Sequence, residues 1–265
     1  MAGSNGHVEM KPSKSHPASA ERGGPPRLLL TAGPTQEPID AVRYIGNRSS
    51  GRLGVSLAEE AAREGWRVTL LLGPTPRQPA DSRIDLHRFR TTADLQALLG
   101  QHLPHCDVLV MAAAVADYRP KIDAATLGGK RRRVAEGLTI ELEATPDLLA
   151  GCAASRRADQ TLVGFALEPR QEMVASARRK LTRKKVDLIV ANPLETMDAE
   201  TIEATVFGDE PTGLAGGRST PGPIAKTAFA GWLLGVICEV RERMAPTTGD
   251  GAGEATSARS DHARR

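Results

Sequence analysis

Short apolar runs recur along this chain, each followed by a stretch with helical spacing, and that alternation leaves few folds open. Residues 27–31, 66–72, 107–112, 161–165 and 186–191 read as strands, and residues 138–142 alternate as a half-exposed strand. Between them, residues 50–64 (with Leu53, Leu57 and Ala61 on one face), 93–102 and 171–184 read as helices, another begins within 146–154, and 223–243 form a long final one. The segment 203–207 reads as part of an edge hairpin. Strands this short and apolar are buried on both faces, so the expected fold is α/β: a three-layer, Rossmann-like arrangement with a mainly parallel sheet, helices on both faces and a small edge hairpin or flap. In such a sheet ligands gather at the carboxyl ends of the strands.

With no internal repeat or linker in between, residues 27–245 read as one domain. Residues 1–26 and 246–265 are rich in Ser, Gly, Pro, Thr and Ala, lack periodicity, and read as disordered tails. The longest apolar run is the nine residues 108–116, too short to span a bilayer, and no signal segment opens the chain. Three widely spaced cysteines, Cys106, Cys152 and Cys238, suit neither a disulfide framework nor a zinc site, so reduced core thiols and a cytoplasmic location are expected. Aromatics at 3% leave little stacking surface for single-stranded nucleic acid. The net charge of +3 is modest, but it is locally concentrated in two runs.

Chemistry concentrates at the ends of the expected strands. The first strand runs into Gly33, which either allows close backbone approach or makes a tight turn. Segment 43–54 then gathers one carboxamide, two serine hydroxyls, three guanidinium groups and the Gly51–Gly54 pair ahead of a helix. A helix N-terminus of this kind suits an anion. Asn47 either caps a helix or offers a neutral carboxamide to a developing oxyanion. Residues 112–118 end the third strand with small side chains and then Asp117, which either begins a turn or binds a ribose, a base or a metal ion. Gly128 and Gly129 precede Lys130 and three arginines, a solvated loop or a mobile lid for polyphosphate. Residues 178–185 carry six cations; some suit the end of a helix, and Lys180 and Lys184 share a face that could grip one anion.

Taken in order, the segments TAGPTQEPID, VRYIGNRSSGRLG, MAAAVADYRPK, the Lys130 loop, TPDLLA, VGFALE and DLIVAN resemble the phosphopantothenoylcysteine synthetase family, the second activity of the bacterial bifunctional coenzyme A biosynthesis protein. The resemblance implies a ligase. The carboxylate of 4′-phosphopantothenate attacks the α-phosphate of CTP, and the amine of cysteine then displaces CMP from the acyl-cytidylate. It further implies Mg2+ with the nucleotide, small-molecule substrates rather than nucleic acid or membrane, and a homodimer with a shared active site. By the same resemblance Asn47 holds the acyl-nucleotide, and Arg43 contacts phosphopantothenate from across the dimer interface. Lys130 covers the intermediate and serves the cysteine step. Gly33, Met111, Ala112, Ala113, Asp117, Pro146, Asp147, Leu148, Leu149, Phe165, Lys180 and Lys184 line the nucleotide site.

The chain departs from the family pattern in the loop Lys130-Arg131-Arg132-Arg133, which keeps only the first lysine of the family's Lys-x-Lys-Lys, at Ala144 in place of a lysine, and at Pro169 after Glu168. Arginine binds anions but its planar fork fills a different space. With 26 residues ahead of the first strand, a stand-alone synthetase without FMN is expected. Two other readings share the strand pattern. A nicotinamide-dependent short-chain reductase needs Tyr-x-x-x-Lys, whereas Tyr44 and Tyr118 are followed four residues on by Arg48 and Ile122. A non-catalytic nucleotide-binding module would rest on the two basic runs alone.

Overall fold

The computed structural model describes residues 24–122, 128–130, 132 and 137–245. Both expected tails thus lie outside the described residues except for 24–26, as do Arg131 and Arg133.

In chain order the strands are β1 (Arg27–Ala32), β2 (Gln36–Pro38), β3 (Tyr44–Gly46), β4 (Arg67–Leu72), β5 (Asp85–Arg88), β6 (Val108–Met111), β7 (Tyr118–Pro120), β8 (Leu142–Ala144), β9 (Thr161–Glu168), β10 (Leu188–Pro193), β11 (Thr201–Ile202), β12 (Thr205–Gly208), β13 (Arg218–Ser219) and β14 (Ile224–Ala225). The helices are α1 (Arg52–Arg63), α2 (Thr92–His102), α3 (Leu148–Ser155), α4 (Met173–Lys184) and α5 (Lys226–Met244).

Eight strands form one sheet in the order β13-β12-β10-β9-β6-β1-β4-β5. From β5 to β10 all neighbours are parallel, whereas β12 joins β10 antiparallel and β13 closes that edge. The parallel strands follow the doubly wound Rossmann order, which reverses direction between β1 and β6 and opens a crevice there. Thr31 pairs with Met111 and Met111 with Gly164, so β1 and β6 end close to one level, while β9 runs four residues further beside β10, to Glu168.

Two apolar clusters cover the faces of the sheet. Leu28, Leu30 and Val110 pack with Leu57, Ala61, Phe229 and Leu233 beneath α1 and α5. Leu29, Leu71 and Leu109 pack with Leu95, Leu149 and Ala177 beneath α2, α3 and α4. The expected α/β three-layer fold is therefore present, with the small antiparallel edge at β12 and β13.

Three details differ from the sequence reading. The half-exposed strand expected at 138–142 lies at Leu142–Ala144, because its register is set by pairing with Tyr118–Pro120. Strand β5 carried no apolar run to mark it; its side chains are exposed or half-buried. The segment between the first strand and α1 is not plain loop, because β2 and β3 pair as an antiparallel hairpin. Buried Glu37 on β2 accepts hydrogen bonds from Thr92 N (2.8 Å) and Thr92 Oγ1 (2.7 Å), fastening that hairpin to the first turn of α2.

The thiols of Cys106 and Cys152 are buried, Cys238 is half-buried, and all three are unbridged. Burial pushes their pKa values up to about 12, 11 and 11, so they stay protonated and unreactive. Among the described residues no helix is long and apolar enough to cross a membrane.

Candidate active site

A cavity of about 230 Å³ opens at the carboxyl ends of β6, β9 and β10, where they meet the N-terminus of α1. One wall is the run Arg48 to Gly54; Ala112, Ala113 and Ala114 form the floor, Phe165 and Leu167 a second wall, and Asn192, Met197, Asp198 and Lys226 close the far side.

Two glycines let α1 come this near to β1. Gly51, with φ 70°, turns the chain into the helix, and a Cβ at Gly54 would lie 2.3 Å from the Ala32 Cβ. The N-cap Gly51 has no side chain to offer, and no acidic residue lies in the first turn; the serines before it make only long bonds, Ser49 Oγ accepting from Gly51 N and Ser50 Oγ from Arg52 N, each at 3.4 Å. The amides of Leu53 and Gly54, and the positive end of the helix dipole, are left for an external acceptor. Across the cavity the segment after β10 is strapped to α1: Arg48 pairs with Asp198 and Arg52 with Glu200. Asn192 Nδ2 donates to Thr196 Oγ1 at 2.7 Å within the same strap.

The segment after β6 joins these elements. Asn47 Nδ2 donates to the Val115 carbonyl at 2.9 Å. Ala114 N donates to Gly33 O (2.9 Å), and Thr35 N to Ala114 O (3.2 Å). Thr145 Oγ1 donates to Ala116 O (2.6 Å) and Thr145 N to Asp117 O (2.9 Å), which fixes the approach to α3. Asp117 itself is exposed.

Of the residues singled out from the sequence, Ala112, Ala113 and Phe165 line the cavity directly. Gly33 and Asn47 flank it through the bonds just described. Met111, Leu148 and Leu149 are buried in the apolar cluster below. A second group sits on the α3 and α4 side of the sheet. Asp147 caps α3 by accepting from Ala150 N (3.1 Å) and pairs with Lys184 (3.0 Å), while Lys180 pairs with Glu168 (2.8 Å). Burial raises the Asp147 carboxyl, but the Lys184 ammonium, the Ala150 N–H and Arg183 more than offset it and hold the pKa below the usual range. Pro146 lies between Thr145 and that cap. Arg43 pairs with buried Asp40 at 3.2 Å. Lys130 is exposed, and its neighbour Gly129 accepts from Ala41 N at 3.1 Å, so the start of the basic loop lies against the turn that carries Arg43.

Sequence reasoning missed Lys226, Thr196 and Asp198. Lys226 falls near the start of what reads as an ordinary long helix over 223–243, and the strap carries no motif. Among the described residues no group of three or more His, Cys, Asp or Glu side chains could hold a metal ion. The described residues thus offer no all-protein cage, and Mg2+ is commonly held through substrate phosphates rather than by such a cage.

Fold and cavity together define a doubly wound α/β domain whose cation-lined cleft lies at the strand-order reversal. Residues 25–219 match the family of the DNA/pantothenate metabolism flavoprotein C-terminal domain, and the chain belongs to it. The domain is of the phosphopantothenoylcysteine synthetase type, as the motifs implied. The coenzyme A biosynthesis bifunctional protein CoaBC of Mycobacterium tuberculosis (strain ATCC 25618 / H37Rv) is 42% identical over 175 residues, covering 63% of this chain and 41% of that protein. CoaBC of Escherichia coli (strain K12) is 40% identical over 167 residues, or 62% and 40%. A protein named cysteine/cysteine sulfinic acid decarboxylase, from an unknown prokaryotic organism, is 41% identical over 169 residues, or 64% and 46%. The chain thus spans less than half the length of these relatives. The crystal structure of the C-terminal domain of CoaBC superposes with a TM-score of 0.67 at 32% identity, covering 82% of this chain and 96% of that one. A Cab2 mutant in complex with phosphopantothenate-cysteine shares the fold, with a TM-score of 0.67 at 19% identity over 83% of this chain and 88% of that one.

Proposed function

We propose that this chain is a phosphopantothenate–cysteine ligase of coenzyme A biosynthesis, acting in the cytoplasm. CTP, as its Mg2+ complex, reacts with the carboxylate of 4′-phosphopantothenate to give an acyl-cytidylate and pyrophosphate. The amine of L-cysteine then attacks the acyl carbon, loses a proton, and CMP departs as the amide forms. One observation carries this reading: the acid-free first turn of α1 and the Asn47 carboxamide converge on the small-residue strand end at 112–115. Such a cleft meets the needs of acyl transfer through a nucleotide, namely positioning and charge stabilisation.

In this reading the amides of α1, with Ser49 and Ser50, face phosphate oxygens. The second N–H of the Asn47 carboxamide, whose first is held by Val115 O, points to the acyl oxygen. Ala112, Ala113 and Phe165 admit the flat base, and Asp117 stands at the rim for base or ribose. Lys130 closes over the intermediate, and Arg43 reaches phosphopantothenate in the neighbouring subunit of a homodimer.

The test is pyrophosphate release by the full chain with each nucleotide. Release that requires phosphopantothenate, is faster with CTP than with ATP, and is followed by cysteine-dependent amide formation supports the proposal. No phosphopantothenate-dependent pyrophosphate with either nucleotide overturns it. CO2 release from cysteine without nucleotide would favour the activity named for the third relative.

A further inference from the structure

Lys226 is the one buried lysine among the described residues, 9% exposed, and it lines the cavity. Its position is electrostatically poor. It is the first residue of α5, where the helix dipole repels a cation, and the first turn of α5 holds no acidic side chain. Its backbone N donates to Glu200 O and its Nζ to Thr196 O, each at 3.2 Å. An ammonium has three N–H donors, and that carbonyl uses one. The nearby carboxylates are engaged elsewhere, Asp198 with Arg48 and Glu200 with Arg52, and Lys226 itself forms no ion pair among the described residues. Burying an uncompensated cation is unfavourable. A cation held this way in a cavity is matched when an anion enters.

We propose that Lys226 is a substrate-binding residue whose ammonium, with the first turn of α1 opposite, takes a phosphate oxygen of the bound substrate. The inference rests on the ligase reading of this cavity and adds a residue to it. Hydrogen bonds to Lys226 then link the bound phosphate to the strap at Thr196 and Glu200, so binding also orders the segment after β10.

The charged groups around Lys226 give the proposal a pH signature. Burial lowers its pKa, Arg52 on α1 and Arg77 in the β4–β5 connection lower it further, and Asp198 in the strap opposes them. Arg48 lines the same cavity, and it and Glu200 belong to the two strap ion pairs. Phosphate binding requires the ammonium. Affinity therefore falls as pH rises through the lowered pKa of the free protein, sooner than for an ordinary lysine.

The experiment is calorimetric titration of CTP, pyrophosphate and 4′-phosphopantothenate into the full chain, wild type, Lys226→Met and Lys226→Arg, from pH 7.5 to 10. The expected result for Lys226→Met is a loss of roughly 10- to 100-fold in affinity for at least one of these ligands, as for a hydrogen bond to a charged group. The ligand affected identifies which phosphate is held. Lys226→Arg should recover part of the loss. Unliganded Lys226→Met should melt higher than wild type, since a buried charge is gone, yet gain less on adding ligand. Unchanged affinity of Lys226→Met for all three ligands overturns the inference. Should that variant fail to fold, unchanged affinity of Lys226→Gln for all three ligands overturns it equally. Wild type binding none of the three would instead overturn the ligase reading itself.

Discussion

Gly54→Ala tests whether the cavity depends on how closely α1 approaches the sheet. The added methyl would stand 2.3 Å from Ala32 Cβ and 3.3 Å from Ala32 Cα, both in the fully buried floor beneath the helix. Carbon atoms pack at about 3.5–4.0 Å, so the first turn of α1 must move outward by more than about 1 Å. Overpacking of this kind costs about 1–3 kcal/mol, and the better helix propensity of alanine returns about 1 kcal/mol. A net loss of about 1 kcal/mol lowers Tm by roughly 2–4 °C in a chain of this size. The functional loss should be far larger. The displaced turn carries the Ser49–Arg52 wall of the cavity, and a misplacement of about 1 Å in a positioning element costs on the order of 100-fold in rate. Gly100→Ala is the matched control. It lies inside α2, where an added Cβ meets nothing within 4 Å. The same substitution there should stabilise the protein by about 0.5–1 kcal/mol and leave pyrophosphate release unchanged. Thermal melts and kcat/KM for both variants decide the matter. If Gly54→Ala is as stable and as active as wild type, or if both variants shift Tm alike, the close contact does not set the site.

Asn47→Asp places a carboxylate against the Val115 carbonyl and beside the proposed acyl phosphate, so amide synthesis should fall far more than CTP affinity; equal losses in both would point to a folding role. Glu37→Ala leaves the buried Thr92 N–H and hydroxyl without their acceptor, at about 1–3 kcal/mol per group, and urea melts should show a lower midpoint at constant slope. Glu37→Gln keeps one acceptor oxygen and should lose less than half as much. Burial raises the Asp107 carboxyl, but hydrogen bonds from the Arg27 guanidinium and backbone outweigh it and set its pKa below the usual range. A depressed carboxylate contributes stability that is full above the unfolded value, about 3.9, and is lost as pH falls through the folded one. Wild-type Tm should therefore drop more steeply from pH 5 to pH 2 than that of Asp107→Asn, and equal slopes would refute the assignment.

The parts of the fold legible in the sequence are those where one residue pattern allows one environment. Val108–Met111 is apolar throughout because β6 is covered on both faces. The α1 start is legible because Gly51 and Gly54 meet needs that glycine meets best: a positive φ and a close contact with Ala32. Strand β5 was hidden because an edge strand need not be apolar, and β8 was misplaced because Leu138 and Leu142, both exposed, alternate without facing a core. Lys226 was illegible for a different reason. Its significance depends on burial beside Arg52 and Thr196, residues far from it in the chain, and no local pattern encodes that meeting.

The cavity's cations are consequently unequal. Arg48 and Arg52 already hold carboxylates of the strap, so an entering phosphate must displace Asp198 or Glu200 before either arginine contributes fully. Both pairs are substantially exposed, on the Arg48 side and the Glu200 side, where solvent makes such exchange inexpensive and each pair worth little. Lys226 has no carboxylate to give up among the described residues and is largely buried, where a charge-assisted bond is stronger. The arginines of NRSSGR are thus the weaker phosphate binders, and the larger share of phosphate affinity falls to a lysine outside that run. Neutralising Asp198 as Asn should accordingly free Arg48 and tighten phosphate binding slightly, whereas loss of Lys226 should weaken it strongly.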